Sequence, residues 1–229
     1  MMIKTVLLAG IALACATTAS AQTDKPAPQK VDIEKLCAET ACRPAGRVDV
    51  VVRISPTEFR TAPVGRSPYV LADGAIMLYP GETLAIQYTI VDGQPTAPKL
   101  IQRYAPAMPA QIMKDGKAVA NPDNATLPKV ERDGVVAKLP PNTLLVSYGQ
   151  MDDKPDTWLK IESTLPENLK YNALMMLFKP AGETGYQFRP TSSCPVLSGK
   201  IAIEHWPHPI GPILLAKPRF VAKDDLACK

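Results

Sequence analysis

The sequence predicts an all-β protein, an antiparallel β-sandwich of immunoglobulin-like or jelly-roll-like type. Three observations carry this expectation. The 229 residues include 24 prolines spread along the chain, and proline lacks the amide hydrogen that a helix interior needs. Short segments alternate apolar and polar residues with a period of two, as half-buried strands do. Gly and Pro signals separate these segments at short intervals.

The first residues read "MMIKTVLLAGIALACATTASAQ". Lys4, the apolar run from Val6 to Ala16 and the small residues Ala19-Ser20-Ala21 form the three regions of a secretory signal peptide. The run is shorter than the ~20 apolar residues that span a bilayer. Residues 1–21 are therefore expected to be removed before Gln22, in a bacterial leader that makes the protein periplasmic or secreted. The alternative is a lipid anchor at Cys15. It is disfavoured, because Leu13 stands one position too close to the cysteine and a good cleavage site follows downstream. Residues 22–35, polar and with Pro26 and Pro28, read as a flexible leader. Residues 36–229 read as one elaborated sandwich domain, or as two small β domains divided near 106–125.

Along the chain, "LCAETACRPAG" reads as a cross-linked loop. "RVDVVVRI" follows as a strand with Val48, Val50, Val52 and Ile54 on one face. The clearest alternation is "TLAIQYTIV", which with "AIMLYPGE" before it reads as a hairpin turning at Pro80-Gly81. Further strands are expected over 98–105, 142–149, 157–164, 200–206 and 213–220. Asp-Gly pairs at 73–74, 92–93, 115–116 and 133–134 read as tight turns, since both residues tolerate positive φ. No calcium-loop repeat surrounds them. The segment 165–178 has two readings. A Thr164/Glu167 capping box favours one short helix, whereas a short apolar run between proline-bounded turns favours a buried strand. Its strand-like neighbours tip the choice to strand, with Met175 and Met176 as packing residues.

Without the signal peptide four cysteines remain, and an even count in an exported chain reads as disulfides. The expected pairs are Cys37–Cys42 and Cys194–Cys228. The formal net charge of +4 is spread without basic blocks, so nucleic acid is not an expected partner. No segment after the leader is long and apolar enough to be transmembrane.

Both histidines lie in "IEHWPHPIGP". Glu204, His205 and His208 are the candidate ligands of a weak copper or zinc site. Pro207 and Pro209 exclude the helix that would bring two such rings together. In an extended chain residues three apart point oppositely and lie roughly 10 Å apart. Alternation groups Ile201, Ile203 and His205 on one face, expected to be the core face. His208 is then an exposed loop residue, and Trp206 a packing anchor or a binding platform.

A catalytic triad would need His205 or His208 as its base. No nucleophile elbow and no phosphate loop is present, and Asp152-Asp153 and Asp224-Asp225 read as solvated pairs. The sequence therefore favours a non-catalytic binding or envelope-associated module with no cofactor, acting on an unknown ligand or envelope protein. Its contact residues are expected to be Trp206, His208 and Trp158, with Tyr69 and Tyr79 as further aromatic candidates. A periplasmic hydrolase using His205 or His208 is the alternative.

Cleavage is directly measurable. The intact mass of protein recovered from a bacterial envelope is expected to correspond to a chain beginning at Gln22. A lipid-bearing species beginning at Cys15 would establish the anchor instead.

Overall fold

Every strand pair among the described residues is antiparallel. The computed structural model describes residues 32–151, 154–180 and 182–228. The signal peptide, Cys15, leader residues 22–31 and Asp152-Asp153 lie outside the described residues. The strands are β1 (Val48–Arg53), β2 (Phe59–Val64), β3 (Ile76–Leu78), β4 (Glu82–Val91), β5 (Gln94–Tyr104), β6 (Gln111–Lys114), β7 (Lys117–Ala120), β8 (Arg132–Asp133), β9 (Val136–Ala137) and β10 (Thr143–Gln150). They continue with β11 (Thr157–Ser163), β12 (Asn168–Phe178), β13 (Tyr186–Thr191), β14 (Ile201–Trp206) and β15 (Ile213–Val221). The fold is all-β and sandwich-like. A five-stranded sheet, β14-β11-β10-β4-β5, faces a four-stranded sheet, β13-β12-β15-β3. Leu84, Ile86, Leu144 and Val146 from the first meet Leu169, Ala173, Ile213 and Leu215 from the second in one core. A further sheet, β2-β1-β6-β7, and the β8–β9 hairpin complete the architecture.

Periodicity explains most of these elements. On β10, Leu144, Val146 and Tyr148 enter the main core, while Leu145 points the other way and packs with Ala85 and Ala137. Strand β10 is thus buried on both faces, which matches its nearly continuous apolar run. Asp92 and Gly93 have φ of 49° and 68°, and Asp115 and Gly116 have 49° and 74°. Two positive values in sequence are what a two-residue hairpin turn of primed type requires.

Residues 165–178 contain β12 and no helix, the preferred of the two readings. Several other expectations change. A helix forms instead at Ile33–Glu39, where the Asp32 carboxylate accepts from the amides of Glu34 and Lys35. The expected leader therefore ends in a capped helix, and Cys37 belongs to that helix rather than to a loop. The central stretch near 106–125 holds the β6–β7 hairpin, whose β6 pairs with β1. On β1, Val51 and Val52 are both buried, so that strand is covered on two sides. Strands β3 and β4 do not pair. Leu78 aligns with Ile213 in one sheet and Glu82 with Tyr148 in the other, so Pro80-Gly81 is a corner between sheets. A tight corner and a hairpin ask for the same turn residues, and only long-range pairing separates them.

The faces of β14 are reversed. Ile203 is 60 % exposed and His205 is exposed, whereas Ala202 packs against the core and Trp206 is 8 % exposed. A one-residue change of phase moves every side chain to the other face. Burying the large indole, with its N–H donated to the Thr191 hydroxyl at 3.2 Å, outweighs burying two isoleucines on an edge strand.

Both expected disulfides, Cys37–Cys42 and Cys194–Cys228, are present. Such bonds form and persist in oxidising compartments. Among the described residues no helix is long and apolar enough to cross a membrane.

The β8–β9 hairpin is held to the outer face of β11 by Glu162, which is 2 % exposed. Its carboxylate accepts from Arg132 Nη1 and Nη2, both at 3.1 Å, and from the Ala137 amide at 3.0 Å, and pairs with Lys160 at 3.0 Å. Burial opposes the charge, but the bonds from Arg132, Lys160 and Ala137 outweigh it and hold the carboxyl below its ordinary value. A depressed folded-state value stabilises the fold above the ordinary pKa and loses that stabilisation as pH falls through the lowered one. Glu162→Gln is expected to cost about 2 kcal/mol at neutral pH. It should also flatten the loss of stability below about pH 4.5. Urea unfolding at pH 7 and pH 3 checks both outcomes; equal losses at the two pH values would contradict the assignment.

Candidate functional site

The most developed site is built around Arg43, which follows the Cys37–Cys42 loop directly. Residues 41–43 run beside 67–69: the Arg43 amide donates to Ser67 O at 2.9 Å, and the Tyr69 amide to Ala41 O at 3.2 Å. The disulfide shortens the freedom of this segment and fixes where the guanidinium enters. Arg43 is 3 % exposed. Its Nε and Nη2 donate to the two carboxylate oxygens of Glu82 at 2.8 and 2.7 Å. Nη2 also donates to Met77 O at 2.8 Å, and Nη1 to Pro68 O at 3.0 Å and Ser67 Oγ at 3.4 Å. All five N–H groups of the fork are therefore used. Burial disfavours the charge, but Glu82 more than restores it and holds the guanidinium above its ordinary pKa. Glu82 Oε2 further accepts the Tyr79 amide at 2.8 Å, which fixes the Pro80-Gly81 corner.

Above this pair lies a cavity of about 110 Å³. Its apolar wall includes Val48, Val50, Val64 and Ile112 from the β1 sheet. Its polar wall includes Arg43, Glu82, Tyr69, Tyr79 and Arg103. The exposed turn at Pro44–Gly46 and residues Asn121, Asp123 and Asn124 form its mouth. Gly81, with φ of +88°, makes the close approach: a Cβ there would lie 2.4 Å from Ala110 Cβ.

The Arg43 guanidinium carbon sits 4.4 Å from the centre of the Tyr69 ring and 4.6 Å from that of Tyr79. Arg103 stands 5.7 Å from the Tyr69 ring. Tyr69 is 1 % exposed, and its hydroxyl has no hydrogen-bond partner among the described residues. Its pKa is pushed up to about 12, first by burial and then by Glu82, with Arg103 and Arg43 opposing. At neutral pH the phenol keeps its proton and is an unused donor.

The residues singled out by sequence are dispersed. Glu204 faces inward, where its Oε1 accepts the Cys194 amide at 2.8 Å and burial raises its pKa. His205 faces outward, stacked on Trp158 at 4.2 Å between ring centres, with Nε2 at 3.1 Å from Asp156 Oδ2. His208 is half-buried in a groove with Arg60, Phe178 and Lys179. Its carbonyl accepts from the Thr157 hydroxyl at 3.0 Å. Glu204, His205 and His208 are thus not brought together. Among the described residues no three of His, Cys, Asp and Glu gather as metal ligands. Trp206 is a core residue and presents no surface platform, and Trp158 is half-buried under the imidazole. Tyr69 and Tyr79, the two further aromatic candidates, do meet, at the cavity. Arg43, Glu82 and Arg103 were not singled out by sequence, because an isolated arginine carries no local sign of burial.

Comparisons with family models, with curated proteins and with solved structures return no match.

The fork at Arg43 is testable as structure. A lysine ammonium cannot serve both Glu82 oxygens and two carbonyls at once. Arg43→Lys is expected to lower the unfolding free energy by about 3 kcal/mol, as for other broken buried pairs. A urea midpoint equal to that of the wild type would show that the fork contributes nothing.

Proposed function

We propose that the protein is an exported, non-catalytic binding module of the bacterial envelope, periplasmic or secreted, and that the cavity beneath the β1 sheet is its ligand site. The observation that carries this reading is a cavity with an apolar wall of Val48, Val50, Val64 and Ile112 and a cationic edge at Arg103. Binding pockets commonly combine an apolar lining with a few convergent polar groups. Two disulfides and the signal-like leader support export. The proposed site is thus the cavity in place of Trp206, His208 and Trp158, with Tyr69 and Tyr79 retained as lining residues.

One observation favours a hydrolase as a second reading: a carboxylate, Asp156, stands at the exposed His205. A base and its orienting acid are two parts of a triad. Among the described residues the side-chain hydrogen-bond partner of His205 is Asp156, and no hydroxyl completes the set. The binding reading therefore has more support.

Methyl NMR of the disulfide-intact protein tests it. A panel of small anionic, neutral and cationic compounds, together with a native envelope extract, is expected to shift Val48, Val50, Val64 and Ile112 saturably. The core methyls of Ile161 and Val196 should remain in place. Absence of any saturable shift at the cavity methyls would remove the cavity as the site.

A further inference from the structure

The chemistry of the cavity can be narrowed by counting which polar groups are already engaged. Arg43 has spent its whole donor fork. Glu82 accepts twice from Arg43 and once from the Tyr79 amide. This pair is neutral as a unit and has little left for a ligand.

Arg103 differs. It belongs to none of the ion pairs among the described residues. It aligns with Leu84 across β4 and β5, so it leaves β5 on the face that carries the main core and reaches toward Tyr69. Its half-buried guanidinium lines the cavity with no ion-pair partner among the described residues, so the site favours an occupant that is anionic and accepts.

Asp123 is the opposing charge. It lies exposed at the mouth, on the turn at Pro122–Thr126, where water screens it. The cavity shared with Arg103 also has the apolar wall of Val48, Val50, Val64 and Ile112. The volume, about 110 Å³, is somewhat below the ~150 Å³ that takes up benzene in a dry cavity. That allows about four to six non-hydrogen atoms.

Building on the cavity reading above, we infer that the ligand is a small aliphatic carboxylate. Its carboxylate meets the Arg103 guanidinium, and its alkyl part lies against the valine and isoleucine wall. A planar guanidinium matches a carboxylate in two parallel bonds. The same group could be a free acid or the carboxyl end of a peptide, since the mouth is open at Pro44–Gly46.

The test uses the disulfide-intact protein at constant ionic strength, followed by methyl NMR. The probes are isobutyrate, isobutyramide, isobutylamine and a valine-terminated tetrapeptide with a free carboxylate. Isobutyrate is expected to shift Val50, Val64 and Ile112 saturably, with isobutyramide at least tenfold weaker. Arg103→Gln should weaken isobutyrate at least tenfold. If Arg103→Gln does not fold, the ratio of isobutyrate to isobutyramide in the wild type decides. A tighter tetrapeptide identifies a chain terminus as the source of the carboxylate, and a tighter isobutyrate identifies a free acid. Equal binding of isobutyramide, unchanged affinity in a folded Arg103→Gln, or saturation by isobutylamine in place of isobutyrate overturns the inference. If other compounds fill the cavity and no carboxylate does, the anion assignment alone falls. If nothing fills it, the binding reading falls as well.

Discussion

The ion pair between Arg43 and Glu82 is the constraint on which the surrounding architecture depends. It joins three segments that no sheet connects: the disulfide-bearing N-terminal stretch, the segment leading into β3, and the start of β4. Glu82 begins β4 and also holds the Tyr79 amide, so the corner by which the chain leaves one sheet and enters the other is set by the same carboxylate. Two charges removed from water are costly unless their remaining donors and acceptors are satisfied. Here the five N–H groups of Arg43 and both oxygens of Glu82 are satisfied. The pair specifies one arrangement of the corner, because any displaced corner would leave several of these groups unpaired.

The same device recurs. Glu162 holds the β8–β9 hairpin over the outer face of β11. Lys170, on β12, donates to Ala227 O at 2.9 Å and pairs with Asp225 at 3.5 Å. The tail is also tied by Cys194–Cys228, a crosslink closing 34 residues of chain, for which loop entropy alone predicts about 4 kcal/mol. The N-terminal stretch, the β8–β9 hairpin and the C-terminal tail are each anchored by one buried charge, twice with a disulfide nearby. Apolar packing builds the sandwich, and polar anchors position what lies around it.

This division explains what was legible in the sequence. Periodicity of two, the Asp-Gly turns and the paired cysteines are local or countable, and they led to the all-β class, to β12 as a strand, and to both disulfides. The phase of β14 was not legible. Its two faces, Ile201-Ile203-His205 and Ala202-Glu204-Trp206, are nearly balanced in apolar content. The decision comes from Thr191 and Cys194, which receive the indole and supply the amide for Glu204. Pro80-Gly81 likewise fits a hairpin or a corner, and the pairing of Leu78 with Ile213 selects the corner. The cavity was the least legible feature, since its walls come from residues near 43, 64, 69, 82, 103, 112 and 123. No local pattern unites them.

The location of the cavity follows from these constraints. Gly81 and Ala110 are in close approach beside the cavity. The space could be closed by large apolar side chains, but its lining is mainly Val and Ile on one side and Arg and Tyr on the other. Arg43 cannot move to fill it, because its fork is fully engaged. Tyr69 is held by its backbone amide to Ala41 and by the two guanidinium groups at its ring. The polar side of the cavity is therefore rigid for structural reasons, and rigidity of this kind is what lets a few donors select a ligand at low entropic cost. The interaction that fixes the corner thus also holds open the site beside it.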